Sequence, residues 1–217
     1  MKQASIIVAI TGASGSAYAL RLIQRLSQAH IFQHILLSDA ARVVLQQEQQ
    51  LTLPEDAAST TQALAQYLTK YHVQDRVQHH GHDLNITPDS IRCYGLKDWF
   101  SPTASGSAGI QRMIIVPCSM GTLARIACGA SDNLIERAAD VMMKEQRQLI
   151  IVPRETPLSS IHLENMLKLS RLGVHIMPAM PGFYHHPQSV DDIIDFMVDR
   201  MLDHLEITNS KAQRWGA

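Results

Sequence analysis

The feature that most constrains this chain is the recurrence of short apolar runs rich in β-branched residues, each separated from the next by a longer stretch with helical spacing. The runs at Ser5–Ile10, Ile35–Ser38, Met113–Pro117, Leu149–Pro153 and Val174–Pro178 lack the polar alternation of a half-exposed strand. They therefore predict strands buried on both faces. Ahead of the second run, Ala19, Leu22, Ile23 and Leu26 fall at i, i+3, i+4 and i+7, with Arg21, Gln24, Arg25 and Gln28 on the opposite face. That spacing predicts an amphipathic helix, and Leu134–Arg147, Ser160–Leu172 and Val190–Leu205 repeat it. Strand, helix, strand in this order implies right-handed crossovers and an α/β fold, a three-layer doubly wound parallel sheet with helices on both faces.

With 217 residues, 46% of them hydrophobic, the chain is long enough for one sizeable core, so a single domain over 1–217 is expected. The stretch Leu51–Trp99 departs from the pattern: it is polar, opens on Pro54-Glu55-Asp56 and offers one helix near Thr61–Tyr71. It predicts a variable arm or insertion at about 51–93 rather than another regular βα unit. Within it, Gln78-His79-His80-Gly81-His82-Asp83 is metal-like in composition. Three histidines so close together on a loop lack a fixed facial geometry, and no distant Cys/His pair completes a zinc pattern, so a solvated loop is expected and no metal is assigned. A formal net charge of −1 gives no electrostatic case for nucleic acid or an anionic membrane as partner. Three irregularly spaced cysteines, apolar stretches far short of a membrane span and an N-terminus unlike a signal peptide lead to the expectation of a cytoplasmic protein.

In an open parallel sheet ligands bind beyond the carboxyl ends of the strands. After the first run comes Thr11-Gly12-Ala13-Ser14-Gly15, which fits an anion cradle at a helix N-terminus and fits a plain strand-to-helix junction equally well. Ser38 ahead of Asp39-Ala40-Ala41 reads first as a helix N-cap. Pro117-Cys118-Ser119-Met120-Gly121-Thr122 supplies hydroxyls and a glycine at the third strand end, and Cys118, with no flanking histidine, reads as a buried thiol. Arg154 and Glu155 at the fourth end are expected to be a buried charged pair, costly unless it serves a ligand. Pro181-Gly182-Phe183-Tyr184 follows the fifth. Arg137, Lys144 and Arg147 share a helix with Glu136, Asp140 and Glu145, which by itself predicts a solvated, salt-bridged face.

Taken together, "TGASG", "ASGS" at 104–107, "PCSMGTLARIACGASDNLIERAADVMMKE", "VPRETPLSSIHLENMLKLS", "PGFYHHPQSVDDIIDF" and "RWG" at 214–216 resemble the UbiX-type flavin prenyltransferases. These stand within the wider group of flavodoxin-like, flavin-binding cysteine decarboxylases. The resemblance implies a Rossmann- or flavodoxin-like sheet and transfer of the dimethylallyl group of dimethylallyl monophosphate to N5 and C6 of reduced FMN, without a metal. The product, prenylated FMN, would serve UbiD-type decarboxylases. It implies FMN contacts at Gly12, Ala13, Ser14, Ser38, Ser119, Met120, Gly121, Thr122 and Arg154. Ser105, Arg137, Lys144, Arg154, Tyr184 and Arg200 would surround the prenyl phosphate, some from neighbouring copies in a homo-oligomer, a dodecamer. Ser14, Glu48 and Glu155 would carry protons, and Trp99 and Trp215 would wall the prenyl site or serve packing. Arg147 stays on the solvated face. The alternatives are a flavin-dependent peptidyl- or pantothenoyl-cysteine decarboxylase, whose active-site histidine and PxMNxxMW-type motif are not evident, and a non-catalytic subunit that delivers FMN.

Overall fold

A computed structural model of the chain describes residues 4–76, 86–87 and 89–207. Six strands, β1 (Ser5–Ile10), β2 (Phe32–Leu37), β3 (Ile91–Tyr94), β4 (Arg112–Cys118), β5 (Gln148–Pro153) and β6 (His175–Ile176), form one sheet in the order β3-β2-β1-β4-β5-β6, every neighbouring pair parallel. Side chains alternate between two cores, as a strand's two-residue period requires. Ile6, Val8 and Ile10 of β1 join Ile114, Val116, Ile150 and Val152 in one core, whereas Ile7 and Ala9 join Met113, Ile115, Leu149 and Ile151 in the other. Helices α1 (Ser16–Gln28), α2 (Asp39–Gln49), α3 (Ala57–Arg76) and α7 (Val190–His204) contribute to the first core. Helices α4 (Met120–Ala127), α5 (Leu134–Lys144) and α6 (Ser160–Arg171) contribute to the second. The three-layer, doubly wound arrangement follows from this division.

Among the described residues, the stretch expected to be an arm carries regular elements at both ends. Helix α3 runs over 20 residues, and β3 adds to the sheet edge by pairing Gln33 with Ile91 and Leu36 with Tyr94. The polar sequence is explained by what α3 buries. Leu64, Ala65 and Leu68 face the core, and the Thr61 hydroxyl accepts from the Cys93 amide at 3.0 Å, tying helix to strand. Edge position permits a half-polar strand such as Ile91-Arg92-Cys93-Tyr94, which is why no apolar run announced it. The His79, His80 and His82 cluster lies outside the described residues. The second strand starts at Phe32 rather than Ile35, because Gln33 and His34 are buried in mid-sheet: the Gln33 amide donates to the Ile23 carbonyl, and His34 Nδ1 meets the Tyr94 hydroxyl at 3.0 Å.

Charge joins the first and last long helices. Asp191, Asp195 and Asp199 recur every four residues on α7, facing Arg21 and Arg25 four apart on α1. Arg21 Nη1 holds both Asp195 oxygens at 2.7 Å and Nη2 holds Asp191 at 2.9 Å, with the arginine side chain 8% exposed. Removing the buried cation takes away the short bonds to Asp191 and Asp195, although both carboxylates are more than a third exposed and Asp195 keeps Arg25 at 3.8 Å. Arg21→Ala is expected to destabilise the fold by about 1–2 kcal/mol, read as a lower denaturant midpoint, with the deficit reduced by added salt because the carboxylates reach solvent.

Candidate active site

The strand order reverses between β1 and β4, so helices leave their carboxyl ends toward opposite faces and a crevice opens there. Hydrogen bonds continue past the strands and hold the following residues in one row. Ser38 N donates to Ile10 O at 3.1 Å, Thr11 N to Pro117 O at 3.2 Å, Arg154 N to Cys118 O at 3.2 Å and Ala179 N to Pro153 O at 3.1 Å. This row carries Gly12, Ala13, Ser14, Ser38, Ser119, Met120, Gly121, Thr122, Arg154 and Glu155.

The glycine turn holds one of the protein's own carboxylates. Gly15 (φ 107°) precedes α1 without a side-chain cap of its own. Its amide donates to both Glu48 oxygens at 3.1 Å, and the Ser16 amide and hydroxyl reach Oε2 at 2.9 and 2.7 Å. Glu48, on α2, thus caps α1 from a neighbouring helix, and the Gly15 and Ser16 amides are occupied by the protein's own carboxylate. Partial desolvation alone would raise the Glu48 carboxyl. Hydrogen bonds from the Ser14 and Ser16 hydroxyls and from the Ser16 and Gly15 amides outweigh it and hold the carboxyl below its ordinary value. Gly12 is needed for packing, since a Cβ there would lie 2.4 Å from the Ala40 Cβ on α2. Ser38 is the expected N-cap of α2, accepting from Ala41 N at 3.0 Å.

At α4 the donors remain open. The Ser119 hydroxyl caps the helix by accepting from Thr122 N at 3.3 Å, and Ser119 N donates to the Thr11 hydroxyl at 2.7 Å. The first intrahelical bond is Leu123 N to Ser119 O. By position, the Met120 and Gly121 amides have no carbonyl within the helix to reach. A Cβ on Gly121 would meet only Arg125 Nη1, at 3.7 Å, so that face of the turn is open. Cys118 is fully buried and its thiol is pushed up to about 12 by burial, which makes it a packing group and not a nucleophile.

Arg154 and Glu155 are exposed, which corrects the expectation of a buried pair. The Glu155 carboxylate accepts from Thr156 N at 3.0 Å, and the Arg154 guanidinium makes no hydrogen bond or ion pair among the described residues. Burial raises the Tyr18 phenol and the positive charge of Arg154 opposes the rise, so the guanidinium acts on the first turn of α1 across the row. Both charged residues border a cleft of about 270 Å³ with Leu158, Met166 and Met180 as apolar wall. A cation without an ion partner among the described residues and two amides without a helical acceptor therefore lie at the neighbouring ends of β5 and β4, a donor set suited to a phosphate-bearing ligand.

The remaining basic candidates do not converge on this row within one copy. Arg137 donates to Ala104 O at 3.1 Å and to Asp140 at 2.9 Å, beside Ser105, which caps a short turn by accepting from Ser107 N. Lys144, at the far end of α5, pairs with Glu145, four residues before β5 begins at its amino end. A strand of that length sets it roughly 17 Å from the carboxyl row. Arg200 is exposed, 3.8 Å from Asp203, in the last turn and a half of α7, where the His204 carbonyl accepts from the Gln148 side chain. Tyr184 is exposed in the loop after β6, its ring edge-on to Phe196 at 5.7 Å. Arg147 is not on a solvated face: it is 13% exposed and donates to Ile110 O and Gly106 O. Glu136 is buried too, its carboxylate held by Arg125, Asn133 and the Asp132 amide. Trp99 is 45% exposed with Lys97 Nζ 5.6 Å above its ring, so it does not serve the core. Trp215 lies outside the described residues. Among those residues no group of three or more His, Cys, Asp or Glu is arranged to hold a metal ion, and no helix is long and apolar enough to cross a membrane.

The family model described as Flavoprotein matches residues 1–202. The chain is 49% identical over 211 residues to the flavin prenyltransferase UbiX of Pseudomonas aeruginosa, covering 97% of this chain and 93% of that protein. Its fold matches the crystal structure of AnUbiX (PadA1) in complex with FMN and dimethylallyl pyrophosphate, with a TM-score of 0.79, 36% identity, and 100% and 99% of the two chains covered. A dodecameric FMN-dependent UbiX-like decarboxylase from Escherichia coli O157:H7 gives a TM-score of 0.77 at 38% identity, with 98% and 100% covered. The peptidyl-cysteine decarboxylase EpiD, at 14% identity, shares the fold alone.

The capping role of Glu48 has a pH signature. Its folded-state carboxyl sits below its unfolded value, so its stabilisation is present above the unfolded pKa and is lost as pH falls through the folded one. Glu48→Gln is expected to lower stability at neutral pH by no more than about 1 kcal/mol, the scale of a helix cap at an exposed site. Denaturant titrations of the two proteins should converge as the pH drops below the carboxylate range.

Proposed function

This chain belongs to the flavoprotein family, among the flavin prenyltransferases, and from that premise we propose that it transfers the dimethylallyl group of dimethylallyl monophosphate to N5 and C6 of reduced FMN. The observation that carries the proposal is the Arg154 guanidinium, without an ion partner among the described residues, beside the open Met120 and Gly121 amides. FMN fits this donor set, held by Gly12 to Ser14, Ser38, Ser119 to Thr122 and Arg154. Bound in reduced form, it supplies the two nucleophilic ring positions. The net change would break the allylic C–O bond and the prenyl C=C π bond and form N5–C, C6–C and one new prenyl C–H bond, the N5 proton leaving with phosphate and the C6 proton being balanced by the one taken up on the prenyl chain. The protein's own part is charge and placement. Departing phosphate is stabilised by preorganised cations, the arginines as planar forks and Lys144 as a point charge. Glu155, beside Arg154, orients or protonates it. Ser14, held by the Glu48 carboxylate, stands where a proton can be passed from the ring.

Lys144 and Arg200 reach the phosphate from neighbouring copies in a homo-oligomer, a dodecamer on this reading, with Ser105, Arg137 and Tyr184 completing the same junctions. What supports this is their distance from the row within one copy and the large apolar side chains left exposed. These include Leu163 and Leu167 on α6, Met180 and Phe183. The solved Escherichia coli relative is dodecameric. Prenylated FMN would pass to a UbiD-type decarboxylase in the cytoplasm, in ubiquinone biosynthesis. A cysteine decarboxylase would leave the cations without a use.

The test is incubation with reduced FMN and either dimethylallyl monophosphate or the diphosphate, in EDTA, with mass spectrometry for flavin plus a five-carbon unit. An adduct from the monophosphate that forms despite EDTA is expected. Decarboxylation of a cysteine-ended peptide with no adduct would overturn the proposal. Arg200→Ala should lower the rate about 10²-fold while FMN stays bound, and Tyr184→Phe should lower it less. Mixed, individually inactive Lys144→Ala and Arg154→Ala proteins should regain part of the activity after subunit exchange, since the two residues belong to different copies at each site.

A further inference from the structure

We propose that Thr11 is the positioning residue of the flavin cradle, the group that decides which amides of the β4–α4 turn face the ligand; the assignment rests on the flavin reading above. Thr11 is 1% exposed and directly follows β1 at the point where the strand order reverses. Its hydroxyl donates to the Pro117 carbonyl at 2.9 Å and accepts from the Ser119 amide at 2.7 Å, while its own amide donates to the same Pro117 carbonyl at 3.2 Å. One side chain therefore spans both sides of the turn that leaves β4.

The consequence follows from accounting for every donor at the head of α4. The Ser119 amide is turned inward to Thr11, and the Thr122 amide is taken by the Ser119 hydroxyl. Only Met120 and Gly121 remain, next to the open face above Gly121. Without the Thr11 hydroxyl, the Ser119 amide and the Pro117 carbonyl would each lose a bond in a dry site. A rotation of the turn that satisfies them again would redirect the Met120 and Gly121 amides. Threonine suits the post because its hydroxyl is at once donor and acceptor, and its methyl fills the buried space that serine leaves empty.

The experiment compares wild type with Thr11→Val, which keeps the shape and removes the hydroxyl, and Thr11→Ser, which restores it. FMN affinity is read by quenching of flavin fluorescence, with thermal midpoints and activity at saturating FMN alongside. Thr11→Val is expected to weaken FMN binding about 10-fold or more, with Thr11→Ser within about 3-fold of wild type, and activity at saturating FMN largely retained. Thr11→Ala, which lets a water replace the hydroxyl, keeps the comparison available if Thr11→Val does not fold, and should fall between the two. Equal affinity in wild type and the hydroxyl-free variants, or a lowered midpoint with unchanged affinity, would overturn the assignment. So would a Thr11→Ser protein as weak as Thr11→Val. A wild-type protein that takes up no FMN would overturn the flavin reading itself, and this assignment with it.

Discussion

The parallel pairing of β1 with β4 is the constraint on which the rest of the structure depends. Strand order reverses across this pair, so α1 and α4 leave toward opposite faces and their N-termini cannot close over the gap. Both helices begin with backbone donors that need partners. At α1 the need is met by Glu48 from α2. At α4 it is met only in part, by Ser119 and Thr11. The asymmetry fills the Gly15 and Ser16 donors from within the protein and leaves the Met120 and Gly121 amides open, although both turns have small, hydroxyl-rich sequences.

Charge is spent on assembly as well as on the site. Arg21 and Arg25 lock α7 onto α1 through three aspartates, and α7 in turn supports the loop that carries Tyr184, whose ring packs against Phe196. Gly182 allows that contact, since a Cβ there would stand 2.7 Å from the Tyr184 ring. The first helix after the glycine turn, α1, and α7 are thus tied directly to each other. A flavin held near the first and a phosphate near the last would feel the same scaffold.

Within one copy, Arg154, Lys144 and Arg200 stand apart from one another. Arg154 is on the carboxyl row, Lys144 at the far end of α5 and Arg200 in the closing turns of α7. On the proposed reading this separation is useful. Cations gathered within one chain would repel one another during folding, whereas cations brought together by association meet only where a phosphate can neutralise them. On the same reading, the exposed Leu163 and Leu167 on α6 would give such an association an apolar driving force.

Sequence alone determined the layer architecture, because strands buried on both faces carry unbroken apolar runs and helices covering them carry one apolar stripe. It also determined the cap at Ser38, which is local, and the inertness of Cys118. The positions of Gly12 to Ser14, Ser119 to Thr122 and Arg154 on one row followed from strand ends lying side by side. Tertiary structure decided what no local pattern encodes. Strand β3 could not be read, since an edge strand needs only half its residues apolar. Glu136 and Arg147 looked solvated because a charge on a helix gives no sign of the carbonyls and amides another segment brings to it. Glu48, 33 residues from Gly15, became the cap of α1 only through the packing of α2. Thr11 looked like any strand-end threonine until Pro117 and Ser119, more than 100 residues on, arrived at its hydroxyl. Contacts between distant segments depend on where the chain returns, and that is fixed by the sheet order rather than by the residues on either side.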